Sequence, residues 1–176
     1  MAAALLVCAG AAFAFRGDLR RRLLGSPPAP QTLIGRPAPE LPSLPTLDGQ
    51  PLRLVDRRGQ VVLLHFWSYG CSLVDVLLPR YDEWQRRFGP RGLTVAGVYT
   101  PQHAGETRVV QFERARIGRP SWPMAFDAGL ASWPAFRVRD SPTVFVIDRQ
   151  GHVRAVRSGA GIADAVEQDI RSLLEP

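Results

Sequence analysis

Residues 61–79 read V-V-L-L-H-F-W-S-Y-G-C-S-L-V-D-V-L-L-P, and the architecture turns on this stretch. Residues 61–67 form a short apolar run rich in β-branched and aromatic side chains. It is closed by Ser68-Tyr69-Gly70, the pattern of a strand buried on both faces. The period then changes. Leu73, Val74, Leu77 and Leu78 fall at helical spacing, and the stripe continues through Tyr81, Trp84 and Phe88 until Gly89-Pro90 stops it. Cys71 thus sits where a buried strand gives way to an amphipathic helix. The unpaired N–H groups and dipole of a helix N-terminus favour an anion there, which lowers a thiol's pKa toward the thiolate.

These residues carry a family resemblance. H-F-W-S-Y-G-C-S-L-V-D-V-L-L-P resembles the strand, active-site loop and first helix of thioredoxin-like proteins, in particular the extracytoplasmic redoxin branch (TlpA-like, cytochrome c maturation type) of thiol-disulfide oxidoreductases. Trp67, Cys71 and Pro79 match that pattern. The second cysteine of C-x-x-C does not, because Val74 stands in its place. The implied fold is α/β and thioredoxin-like: a mixed central sheet with helices on both faces, preceded by an N-terminal apolar leader.

Composition narrows the alternatives. With 45% apolar and 22% charged residues in 176, the body is globular, with room for one domain plus a leader and linker. The formal charge of +6 raises the question of nucleic acid, but every basic residue is Arg and they are spread along the chain. No recognition-helix pattern or aromatic-interleaved basic strip accompanies them, so a nucleic-acid partner is not expected. Two cysteines, Cys8 and Cys71, make no disulfide framework, and His65, His103 and His152 lack the paired spacing of zinc sites. No metal or other cofactor is called for.

Residues 2–15 are apolar, a run shorter than the roughly 20 residues that span a bilayer and suited to the core of a signal peptide. Ala12-Phe13-Ala14 offers a small-x-small cleavage pattern. No positive charge precedes the run, whereas Arg16, Arg20, Arg21 and Arg22 follow it. By the positive-inside rule that arrangement would keep the downstream side cytoplasmic. The expectation is nevertheless an uncleaved anchor or signal over residues 1–25 with an extracytoplasmic domain; the alternative is an N-terminal helix packed on another surface. Cys8, in L-L-V-C-A, lies in a poor lipobox. Residues 26–40 read as a proline-rich linker and 41–176 as the thioredoxin-like domain.

Asp48-Gly49 between apolar residues signals a hairpin. Residues 93–99 read as a second buried strand, 107–115 as a helix, 124–126 as a short strand and 130–136 as a weak helix interrupted by Pro134. Residues 143–148 and 153–157 are strands joined by Arg149-Gln150-Gly151, and 162–174 an amphipathic helix.

Cys71 is the candidate nucleophile, able to attack a disulfide sulfur or a peroxide oxygen. Without a second thiol at Val74, a mixed disulfide or sulfenic acid on Cys71 persists until an external thiol arrives. The resemblance places His65 where thioredoxins carry a buried acid that accepts the cysteine proton. A near-neutral imidazole suits that work, and a core histidine satisfied by a backbone carbonyl is the other reading. Ser141-Pro142 matches the family's cis-proline loop facing the sulfur, with Ser141 offering backbone groups to an extended peptide. Trp67 and Tyr69 read either as an apolar substrate rim or as core aromatics. Three functions follow: single-cysteine thiol-disulfide exchange with protein thiols or an external reductant; peroxide reduction; and a non-catalytic binding or assembly domain. For peroxide reduction, the peroxiredoxin pattern P-x-x-x-T-x-x-C is met partly, by Ser68 but not by Leu64.

Overall fold

The structure is a computed structural model and describes residues 29–46, 49–68, 73–100, 121–127 and 129–175. Five strands form one sheet: β1 (Val61–Ser68), β2 (Leu93–Thr100), β3 (Met124–Phe126), β4 (Thr143–Ile147) and β5 (Val153–Ser158). Among the described residues three α-helices accompany them: α1 (Leu73–Phe88), α2 (Ser132–Phe136) and α3 (Ala163–Leu174). The strand order is β3-β2-β1-β4-β5. β2 runs parallel to both β1 and β3, whereas β4 is antiparallel to β1 and β5.

The apolar run of β1 is central because it has two faces to bury. Val61, Leu63 and Trp67 enter a core with Leu77, Leu78, Tyr81, Trp84 and Phe88 of α1 and Val166 and Ile170 of α3. Val62, Leu64 and Phe66 point the other way, onto Phe136, Phe145 and Leu33. Alternation of side chains along a strand makes this division unavoidable once both faces are covered.

The β4–β5 hairpin forms as the Arg149-Gln150-Gly151 turn suggests: the Gly151 amide donates to Asp148 O at 2.9 Å, with Gly151 at φ 83°. Residues 162–174 also behave as expected, with Ile162, Val166, Ile170 and Leu174 buried.

Three expectations need correction. Leu130 lies before the α2 helix, in a left-handed conformation at φ 54°, and Pro134 falls within the first turn of α2, where a missing amide breaks no helical bond. At Asp48-Gly49 no strand flanks the turn among the described residues. The Gly49 amide donates to Thr46 O at 3.4 Å, while Thr46 bridges Ala125; Asp48 itself lies outside the described residues. Residues 29–40, the later part of the segment read as a proline-rich linker, are seated on the domain. Leu33 is buried, the Gly35 amide donates to Val153 O, and the Ala38 amide donates to Gly151 O. The Glu40 carboxylate accepts from the amides of Leu41, Leu54 and Val55. The reason is backbone satisfaction: this segment adds to the edge of β5, with Pro37 bridging His152. The helix expected over residues 107–115 lies outside the described residues.

Candidate functional site

The site is built at the end of the sheet where β1 leaves for α1. Ser68 closes β1 and Leu73 opens α1, so Cys71 falls between them in sequence; Cys71 and Tyr69 both lie outside the described residues. The flanks are well defined. The Ser141-Pro142 peptide bond is cis, the geometry the resemblance implied. The Ser68 amide donates to Ser141 Oγ at 3.1 Å, which brings the proline loop against the end of β1. Pro142 is buried and Ser141 half-buried.

His65 is fully buried on the α1 side of β1. Its ring lies 4.9 Å from that of Tyr81, edge-on, and 6.3 Å from that of Trp67, stacked. Among the described residues neither ring nitrogen has a hydrogen-bond partner, so the backbone-carbonyl reading of this residue does not hold. The proton-acceptor reading also changes. Burial disfavours the imidazolium and holds the His65 pKa down to about 3, so the ring is neutral at ordinary pH. A base poised near neutrality requires solvent or a nearby anion, and the described surroundings of His65 are aromatic.

Trp67 is likewise buried, its ring 4.6 Å from Tyr99, and it offers almost no surface to a substrate. Of the two readings given to it, the core aromatic is the one its packing fits.

Sequence reading missed a polar edge at this end of the sheet. Ser68 and Thr100 are register partners on β1 and β2, and Thr143 opens β4 beside Phe66; all three are buried. Thr143 Oγ1 donates to Asp140 O at 2.7 Å and lies 3.0 Å from Ser158 Oγ, which ties the proline loop to β5. Asp127, also buried, accepts from the amides of Ala131 and Ser132 and from the Ser132 hydroxyl, fixing the start of α2. A hydroxyl residue recurs at the matching end of each central strand in W-S, Y-T and P-T-V. That repetition was the available signal.

Three parallel strands extended by an antiparallel hairpin, helices on both faces and a cis-proline loop at the β1–α1 junction together define a thioredoxin-like protein. The AhpC/TSA family pattern matches residues 34–156, and the chain belongs to that family. Among curated relatives, the protein DipZ of Mycobacterium bovis is 35% identical over 133 residues, covering 74% of this chain. The match spans only 19% of DipZ itself. The thiol-disulfide oxidoreductase ResA of Geobacillus thermodenitrificans is 28% identical over 141 residues, covering 80% of this chain and 78% of the relative. Among solved structures, the exposed lipoprotein thioredoxin Etrx1 of Streptococcus pneumoniae superposes with a TM-score of 0.66. It is 28% identical, with 77% of this chain and all of that one covered.

Proposed function

We propose that this chain is a thiol-disulfide exchange protein working through one sulfur, Cys71. The observation that supports it most directly is the Ser68–Ser141 hydrogen bond, which sets the cis-proline loop beside the strand end from which the chain leads to Cys71. Relatives named as a thiol-disulfide oxidoreductase and an exposed lipoprotein thioredoxin favour the same chemistry, with protein thiols or disulfides as partners. The Cys71 thiolate attacks one sulfur of a partner disulfide, forming a mixed disulfide and releasing the other sulfur as a thiolate. An external thiolate then attacks the Cys71 sulfur, releasing the partner's second thiolate and leaving Cys71 bonded to the external thiol. A second external thiolate attacks that external sulfur, frees the Cys71 thiolate and leaves the two external thiols as a disulfide, so electrons and bonds balance without a second cysteine. His65 contributes a neutral, apolar-walled floor and no charge, and Ser141 holds the loop against which an extended substrate lies. The domain works outside the cytoplasm, tethered or exported through residues 1–25; no described helix is long and apolar enough to cross a membrane.

The test is the alkylation rate of Cys71 against pH, with a Cys8→Ser background to isolate the sulfur. A thiolate that forms below pH 8 and a trapped mixed disulfide with reduced partner protein support exchange. A thiol that ionises only above pH 9 with no mixed disulfide replaces it with the binding-domain reading, and peroxide consumption in the absence of exchange replaces it with peroxide reduction.

A further inference from the structure

The end of the sheet opposite the Cys71 junction is paved with arginine. Arg149, in the β4–β5 turn, donates to the carbonyl oxygens of Gly59 and Arg91 at 3.2 and 3.4 Å and lies over Gly92, where an added Cβ would sit 3.1 Å from its Nη1. Arg58 covers Gly151 of the same turn so closely that a Cβ there would meet its Nη1 at 1.3 Å. Arg91 in turn faces the ring of Phe88, which it shares with Arg87 and Arg171, the three guanidinium carbons standing 5.7, 5.1 and 5.3 Å from the centroid. Arg86, exposed on the last turn of α1, completes the surface.

Against these six cations stand few anions. Glu167 accepts from Arg87 and Arg171, and Glu175 is exposed beyond α3. Asp56 is engaged by Arg53, and the buried Asp148 by Arg154. Arg58, Arg86, Arg91 and Arg149 have no carboxylate partner among the described residues. Glu167 offsets the repulsion at Arg87 and Arg171 only, so Arg58, Arg86, Arg91 and Arg149 leave an excess of positive charge on this surface that an anionic partner would neutralise. The segment preceding the domain also reaches this end, since Pro37 and Ala38 run beside Gly151 and His152. In sequence it follows an apolar run, residues 2–15, and Arg16, Arg20, Arg21 and Arg22.

We propose that this arginine surface docks on a bilayer containing anionic phospholipid, which directs the opposite, Cys71-bearing end of the sheet into solution. β1 alone sets the two ends roughly 25 Å apart, more than two Debye lengths at physiological salt. Delocalised guanidiniums on a broad, irregular surface suit many phosphate headgroups at once. The docking does not depend on the redox reading, and its test leaves Cys71 untouched.

The experiment measures binding of the full chain to vesicles of phosphatidylcholine alone and with three parts in ten phosphatidylglycerol, in low and high salt. The parent is expected to prefer the anionic vesicles, and to lose that preference in high salt. Arg86→Gln with Arg91→Gln, and separately Arg58→Gln with Arg149→Gln, are each expected to weaken anionic binding roughly thirtyfold and leave neutral binding unchanged. A variant with the parent's melting curve that binds anionic vesicles within twofold of the parent overturns the proposal. So does tighter binding to duplex DNA than to anionic vesicles at matched salt. Hydrogen exchange on the unmodified protein gives an independent reading: vesicle protection at residues 86–92 and 149–151 supports the surface, and protection confined elsewhere refutes it.

Discussion

The amide of Ser68 donates to the hydroxyl of Ser141 at 3.1 Å across 73 residues of sequence, joining the last residue of the central strand to the residue before the cis proline. This bond ties the loop to the end of the strand from which the chain leads to Cys71. Ser141→Ala removes it. The expected stability loss is about 1 kcal/mol, the net worth of one such hydrogen bond. Disulfide exchange through Cys71 is expected to slow by more than that change in folding implies, because the loop loses its register on β1. Urea melts alongside exchange rates separate the two; an unchanged rate in a folded variant removes the positioning role from Ser141.

His65 predicts a pH dependence. Its unfolded pKa is near 6.5, and burial lowers the folded value to about 3. Between those values the unfolded chain binds a proton that the folded chain refuses. The contribution is therefore complete above pH 6.5 and is lost as pH falls toward 3, amounting to about 2 kcal/mol at pH 5. His65→Leu abolishes this slope. It also removes two buried nitrogens without hydrogen-bond partners, so stability at pH 7 is expected to hold or rise by about 1 kcal/mol. Urea midpoints from pH 7.5 to 5 check both statements, and a parallel slope in parent and variant contradicts them.

Gly97 meets the ring of Trp122 edge to backbone. A Cβ at Gly97 would lie 2.8 Å from Trp122 Cζ3, while the Trp122 indole N–H donates to Asp82 Oδ1 at 3.0 Å and resists displacement. Gly97→Ala is expected to cost about 1–3 kcal/mol by overpacking. The indole shift should appear in tryptophan fluorescence and the cost in the thermal midpoint. A midpoint equal to the parent's shows that β3 yields without loss.

The apolar run at residues 61–67 and the stripe from Leu73 to Phe88 announced β1 and α1 because each satisfies one period over many residues, and the sheet follows from their alternation with the hairpin. Other features were less legible because they depend on distant partners. Residues 29–40 are rich in proline yet seated on β5, since edge-strand amides need acceptors whatever the composition. His65 looked suited to proton transfer on its intrinsic pKa, and only its neighbours Tyr81 and Trp67 show that desolvation removes that property. The arginine surface draws on α1, three connecting segments and α3, so its unity is invisible along the chain.

Val74 carries the last prediction. It is the second residue of α1 and stands three after Cys71, the spacing at which dithiol members of the fold hold their resolving cysteine. With valine there, release of a mixed disulfide waits on a bimolecular collision. A thiol at that position makes the step intramolecular, at effective concentrations that reach ~10⁵ M or more in well-oriented systems. Val74→Cys is therefore expected to convert slow, thiol-dependent turnover into catalytic insulin reduction, at least tenfold above the parent at equal reductant. The accumulated mixed disulfide should fall in parallel. The two readouts must move together, because both report one attack of sulfur on sulfur. Faster reduction with undiminished mixed disulfide would mean that the new thiol acts on its own and that Cys71 is not the entering nucleophile. A folded variant that reduces insulin no faster than the parent would mean that the protein surface around the junction no longer admits a disulfide substrate, leaving the scaffold as a binding domain.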